Sequence, residues 1–182
     1  MQSFEYYAPT EIIFGKGAEA QTGKAVKKWG GTRVLLVYGG GSARRSGLLE
    51  RIQKELDDEN IFWEELGGVQ PNPRLSLAEE GVKKALKIQA DFILAVGGGS
   101  AIDTAKGIAH GTANPDLDLW DIWTEKVELK KSLPVGVVLT ISAAGSEMSD
   151  SAVLTNEVGG QAVLGRQFHH TTLGPQVDVA EE

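Results

Sequence analysis

Residues 93–107 read ILAVGGGSAIDTAKG: an apolar run, three glycines, then residues at helical spacing. The same arrangement occurs earlier, in LLVYGGGSARRSG at 35–47. A short apolar run bounded by turn residues is how a strand buried on both faces reads, and such strands belong to parallel sheets. The chain therefore carries two strand-to-helix turns of one kind.

Working outward, a helical pattern over 18–29 ends at Gly30 and Gly31, and RVLLVY at 33–38 is a buried strand. Leu48, Leu49, Ile52 and Leu56 recur at three- and four-residue spacing, the mark of an amphipathic helix. The cycle repeats with a strand at 61–66, a Pro-Asn-Pro turn at 71–73, a helix near 75–89 and a strand at 91–96. A helix over 100–111 and the apolar run PVGVVLTI at 134–141 extend it. Strand alternating with helix predicts an α/β fold, a Rossmann-like parallel sheet flanked by helices. The segment 114–133, with Trp120 and Trp123, reads as a surface loop or short helix whose tryptophans pack.

At 182 residues, 41% of them hydrophobic and 24% charged, the composition is that of a single folded domain. The net charge of −7 argues against nucleic acid or an anionic membrane surface as partner. With no cysteine, disulfides and thiolate metal sites are excluded, and a cytoplasmic location is expected. The opening residues MQSFEYYAPTEIIFGKG lack a secretory pattern, and no apolar run reaches the ~18 residues of a spanning helix.

Both triplets fall at the carboxyl ends of strands, the ligand side of a parallel sheet. A helix beginning directly after Gly99 would present unpaired N–H groups and a positive dipole end, an anion site. Glycine allows close approach of a phosphate because no Cβ intervenes. The G-x-G-x-x-G fingerprint is not met, since Ile102 and Arg44 stand where its last glycine belongs. At the first triplet no carboxylate opposes a 2′-phosphate, while Ser42, Arg44 and Arg45 can donate to one. Each arginine could equally be a solvated residue of the first helical turn.

The runs YGGGSARRSG, QPNP at 70–73, GGGSAIDTAKG at 97–107 and LTISAAGSEMSDSAVLTNE at 139–157 resemble, in order and spacing, the iron-containing alcohol dehydrogenases, and within them the butanol dehydrogenase branch. The resemblance implies a dinucleotide-binding domain over 1–160, with the pyrophosphate on Gly98, Gly99 and Ser100. Asp103 would lie beside the nicotinamide ribose, Asn72 on the adenine side, and Thr140, Ser142 and Ala143 along the groove. In the family an acidic first-strand end accompanies NAD and glycine often accompanies NADP, so Gly39, Gly40, Gly41 and Ser42 imply NADP(H) in preference to NAD(H).

Two departures stand out. Ala144 occupies the usual place of Thr before Gly-Ser-Glu, and no Lys follows Lys131. Residues 161–182 look like a divergent, flexible tail, which a frameshift, a truncation or divergence would equally produce. Family members are about twice as long, and their helical domain supplies one Asp and three His to a metal. Here His110, His169 and His170 are the only histidines, and adjacent residues such as His169 and His170 point to different faces, so no replacement site with Asp178 and no catalytic metal is expected.

The expectation is thus a single domain lacking the helical metal-binding domain, with no catalytic residue of its own, that binds NADP(H) but does not turn over alcohol alone. Two rival readings remain. One is a nucleotide-binding module that forms a homodimer or takes a partner chain supplying the metal domain, through an exposed apolar docking surface. The other is a weak NAD(P)H:acceptor oxidoreductase of the diaphorase kind.

Overall fold

The structure, a computed structural model, describes residues 10–143, 145–165 and 177–180. In chain order the strands are β1 (Glu11–Phe14), β2 (Arg33–Gly39), β3 (Phe62–Val69), β4 (Phe92–Gly97), β5 (Val135–Leu139), β6 (Ala152–Asn156), β7 (Gln161–Gly165) and β8 (Val177–Ala180). The helices are α1 (Thr22–Lys28), α2 (Ser42–Arg45), α3 (Leu48–Asp58), α4 (Leu75–Lys87), α5 (Gly99–Ala113) and α6 (Leu119–Trp123), with 3-10 turns at Ala18–Gln21 and Ser146–Met148.

Six strands form one sheet in the order β1-β8-β5-β4-β2-β3, every neighbouring pair parallel. This is the α/β architecture that the sequence predicts. Parallel neighbours require crossover connections, and the helices that make them cover both faces. One core layer joins α4, α5 and α6 to the sheet around Leu35, Val37, Ile93, Ala95 and Val137. The other joins α1 and α3 through Val34, Leu36, Leu94, Val96 and Val138. The alternation of these residues between layers is the period-two geometry of strands, and it explains why β2, β4 and β5 read as continuous apolar runs.

Chain direction sets the position of the crevice. From β2 the chain leaves through α2 and α3 toward β3, whereas from β4 it leaves through α5 toward β5 on the other side. At such a switch point the two departing connections diverge and leave a gap outside the strand ends. Both glycine triplets sit at this gap.

Several boundaries differ from expectation for local reasons. β3 runs on to Val69 through Gly67 and Gly68, pairing with β2 as far as Gly39↔Val69; Tyr38 lies over Gly67, where a Cβ would come within 2.7 Å of the ring. The helix expected over 18–29 is a 3-10 turn followed by α1. In 114–133 a five-residue α6 forms, capped by Asp118, which accepts from the N–H groups of Trp120 (2.8 Å) and Asp121 (3.0 Å). Trp123 is buried beside His110, ring centroids 5.8 Å apart, so its role is packing.

The stretch 161–182, expected to be a tail, contains two strands. β7 pairs antiparallel with β6 from Asn156↔Gln161 to Ala152↔Gly165, and β8 lies between β1 and β5. Val177, Val179 and Ala180 supply the short apolar alternation of a strand, which its polar surroundings obscure.

Candidate cofactor cleft

The switch-point crevice is a cleft of about 280 Å³ between the ends of β2 and β4. Gly39, Gly40 and Ser42 form one wall, Gly98, Gly99 and Ser100 the opposite wall, and Gln70, Pro71 and Thr140 the ends. Seven of the twelve residues expected to bind cofactor therefore share one cavity. Gly41 is next to it, between Gly40 and Ser42. Asn72, Ser142 and Ala143 are exposed on the loops that bound it, and Asp103 lies one helical turn deeper.

The glycines of the second triplet have separate causes. Gly97 has φ +152, a conformation that side chains rarely adopt, and its built Cβ would meet the Ala101 methyl at 2.9 Å. At Gly98 a Cβ would meet Ile141 Cγ2 at 2.6 Å. Gly99 has neither reason: its Cβ position has no protein atom within 4 Å, and the same holds for Gly40 across the cleft. At these two positions the absent side chain leaves space open to the cavity.

Gly99 is also the first residue of α5. No side chain caps this helix, and its first turn holds no acid. The Gly98 carbonyl accepts from the N–H groups of Ala101 (3.0 Å) and Ile102 (3.2 Å). Among the described residues the N–H groups of Gly99 and Ser100 have no such acceptor, so they face the cleft with the positive end of a 15-residue helix behind them. This is the geometry of an anion site.

Deeper in the structure, two turns along α5 from Gly99, stands Lys106. Its side chain is 1% exposed and donates to the carbonyls of Ser146 (2.7 Å), Ser149 (2.7 Å) and Ser151 (2.9 Å), with Ser146 Oγ at 3.3 Å. Three ammonium protons meet three carbonyls, which holds the 146–151 loop on the helix. Burial pushes Lys106 down to about 8, against the pull of the Asp103, Asp150 and Glu147 carboxylates. Asp103 completes the latch by accepting from Ser146 Oγ (2.5 Å) and the Val153 N–H (3.1 Å). Burial raises the Asp103 carboxyl above its ordinary range, and these two hydrogen bonds oppose the rise.

His110, one turn beyond Lys106, is fully buried and pushed down to about 3 by burial and by the Lys106 charge, so it is neutral at physiological pH. The opposite end of the cleft is tied down by Glu157. Its carboxylate accepts from the Ser76 hydroxyl (2.7 Å) and N–H (3.2 Å) at the start of α4, while the Thr155 N–H donates to Pro73 (2.7 Å). The QPNP and TNE motifs are legible in the sequence but not their bond to each other, because nothing in their spacing signals a contact between Pro73 and Thr155.

Among the described residues no three His, Asp or Glu side chains converge as metal ligands. Ala144, His169 and His170 lie outside the described residues; Asp178 is in β8. No described helix is long and apolar enough to cross a membrane.

The family model described as iron-containing alcohol dehydrogenase matches residues 9–180. The match runs past residue 160, into the stretch 161–182 expected to diverge. "Probable NADH-dependent butanol dehydrogenase 2" of Bacillus subtilis is 47% identical over 93% of this chain and 43% of its own length. The NADPH-dependent aldehyde reductase YqhD of Escherichia coli is 36% identical over 96% of this chain and 44% of its own. The solved NADH-dependent butanol dehydrogenase A of Thermotoga maritima superposes with a TM-score of 0.93 at 39% identity, covering 100% of this chain and 44% of that one. The chain thus spans less than half the length of these relatives.

Proposed function

The chain belongs to the iron-containing alcohol dehydrogenase family, and on that premise we propose that it is the nicotinamide dinucleotide-binding part of an alcohol or aldehyde oxidoreductase, taking NADP(H) in preference to NAD(H). One observation carries the reading. Gly40 and Gly99 face each other across the cleft with no neighbour and no left-handed backbone to require glycine, so the space they leave suits a ligand that approaches the main chain.

In this reading the N–H groups of Gly99 and Ser100 bind the pyrophosphate and Gly98 permits its approach. Gly39 to Ser42 take the adenosine ribose, and the 70–73 turn with Asn72 borders the adenine. Thr140, Ser142 and Ala143 flank the nicotinamide half. Asp103, bonded to Ser146 and Val153, serves the nicotinamide ribose by fixing the wall beside it. The bound dinucleotide supplies the chemistry, a hydride given or taken at the nicotinamide. The protein binds, orients and excludes water.

Relatives named for NADH and for NADPH both occur, so the cofactor preference rests on the site. Gly39, Gly40, Gly41 and Ser42 offer no carboxylate to repel a 2′-phosphate, and Arg45 stands beside them. A second feature bears on turnover. Ile141, which lines the cleft, is 65% exposed, an apolar side chain that suits cover by another body. Alcohol turnover is expected to require that cover and the metal it carries.

Calorimetric titration with NADPH and NADH in parallel tests the reading. Binding of NADPH that is tighter than that of NADH and is abolished by Gly99→Asp supports it. Absence of binding to both overturns it.

A further inference from the structure

The two consecutive arginines after the first triplet have different fates. Arg44 turns away from the cleft: one guanidinium nitrogen donates to both carboxylate oxygens of Glu65 (3.0 and 3.1 Å) and to the Tyr38 hydroxyl, and the group lies 5.3 Å from the Tyr38 ring. Glu65 is held in place by Gln53, whose Nε2 donates to it at 3.2 Å. Arg44 is thus a charge already matched, and Glu65 sits on β3 four residues before the cleft-lining Val69.

Arg45 curls back instead. Its Nη1 lies 2.5 Å from the position a Gly41 Cβ would take, so the guanidinium rests against the backbone between Gly40 and Ser42, both of which line the cleft. Among the described residues it has no hydrogen-bond or ion-pair partner. A guanidinium with no partner among the described residues, over glycine backbone at the edge of an anion-accepting cavity, is notable in a chain of net charge −7.

We propose that Arg45 is the specificity-determining residue of the cleft, reading the 2′-phosphate of NADP(H), and that Glu65 tunes the cofactor choice by withholding Arg44. The inference rests on the cofactor reading above and divides the work between two residues that the sequence makes look equivalent. A phosphate beside Gly40 and Ser42 would gain a charge-assisted, planar pair of N–H donors from Arg45 without breaking any bond it makes to the described residues. Recruiting Arg44 would first cost its bonds to Glu65. Gly41 fits the same scheme, since a side chain there would displace the guanidinium.

The test is titration of the whole chain with NADPH and with NADH for the wild type, Arg45→Ala, Arg44→Ala and Glu65→Gln, with melting temperatures to confirm folding. Arg45→Ala is expected to weaken NADPH about tenfold or more and to change NADH by less than about twofold. Arg44→Ala should shift the NADPH-to-NADH ratio by less than about threefold, the scale of an exposed charge acting at a distance. Glu65→Gln should raise that ratio by freeing Arg44. An equal or larger NADPH loss in Arg44→Ala, or an unchanged ratio in Arg45→Ala, overturns the assignment of Arg45. An unchanged ratio in Glu65→Gln overturns the tuning role. A wild type that binds NADH but not NADPH also sinks the inference while sparing the dinucleotide reading; one that binds neither removes both.

Discussion

Replacing Lys106 by Met separates the two roles of a buried cation, as hydrogen-bond hub and as desolvated charge. Near pH 7 the substitution leaves the carbonyls of Ser146, Ser149 and Ser151 without their donor and strips Asp103 of its neighbouring charge. Losses of this kind cost about 2 to 4 kcal/mol in total, given that the half-buried carbonyls of Ser149 and Ser151 can recruit water. The pH dependence gives the sharper number.

With the folded-state value at about 8 and an unfolded value near 10.4, the unfolded chain binds more protons between them, so stability rises with pH across that window. The Lys106 contribution amounts to roughly 2 kcal/mol between about pH 7 and about pH 9.5. The Met variant lacks it, and the gap between the two proteins should widen by that amount. Urea unfolding of both at half-unit pH steps measures the gap, and taking the difference cancels groups common to both. Parallel curves would refute the reasoning, because they would mean that the three carbonyls offset the whole cost of burying the ammonium.

Other expectations follow from single contacts. Gly99→Asp adds no clash but places a negative charge on the N-terminus of α5, so dinucleotide affinity should fall at least tenfold in calorimetry, with the melting temperature nearly unchanged. Gly23→Ala drives a Cβ to 2.1 Å from the Glu55 carbonyl oxygen, backbone that cannot turn aside, and should destabilise by about 1 to 3 kcal/mol in denaturant unfolding. Glu157→Ala removes the cap of α4 and should cost about 1 kcal/mol, measured the same way. The Glu157 carboxyl is held below its ordinary 4.5, first by the Ser76 hydroxyl. Its contribution is present above that value and is lost as pH falls below it, so the variant and the parent should converge in acid.

How much the sequence disclosed depended on the range of the signal. Buried parallel strands announce themselves locally, as ILAV before its glycines does, and the cleft followed because the triplets mark strand ends. The Arg44 and Arg45 pair was visible as charge but not as geometry, since only the path of β3 brings Glu65 beside one of them. Asp103 was legible as a motif residue, yet its partners Ser146 and Val153 are 43 and 50 positions away. Lys106 gave no sign of its burial, because a Lys in a helix following a polar first turn reads as solvated. β8 escaped because four residues of alternation carry little information without the neighbours that complete the sheet.

The place of β8 also bears on the order in which the chain can assemble. Among the described residues β1 pairs with β8 alone in the sheet, from Glu11↔Val177 to Phe14↔Ala180, and β8 bridges it to β5. During synthesis β1 emerges before the other described strands, and β8, its partner among them, follows about 160 residues later, roughly 8 to 32 s at ribosomal speeds of about 5 to 20 residues per second. The layers around β2 to β5 can close in that interval from contacts already made. β1, made before the other described strands, is therefore among the last of them to dock, and for that period its exposed edge is open to any other strand in reach.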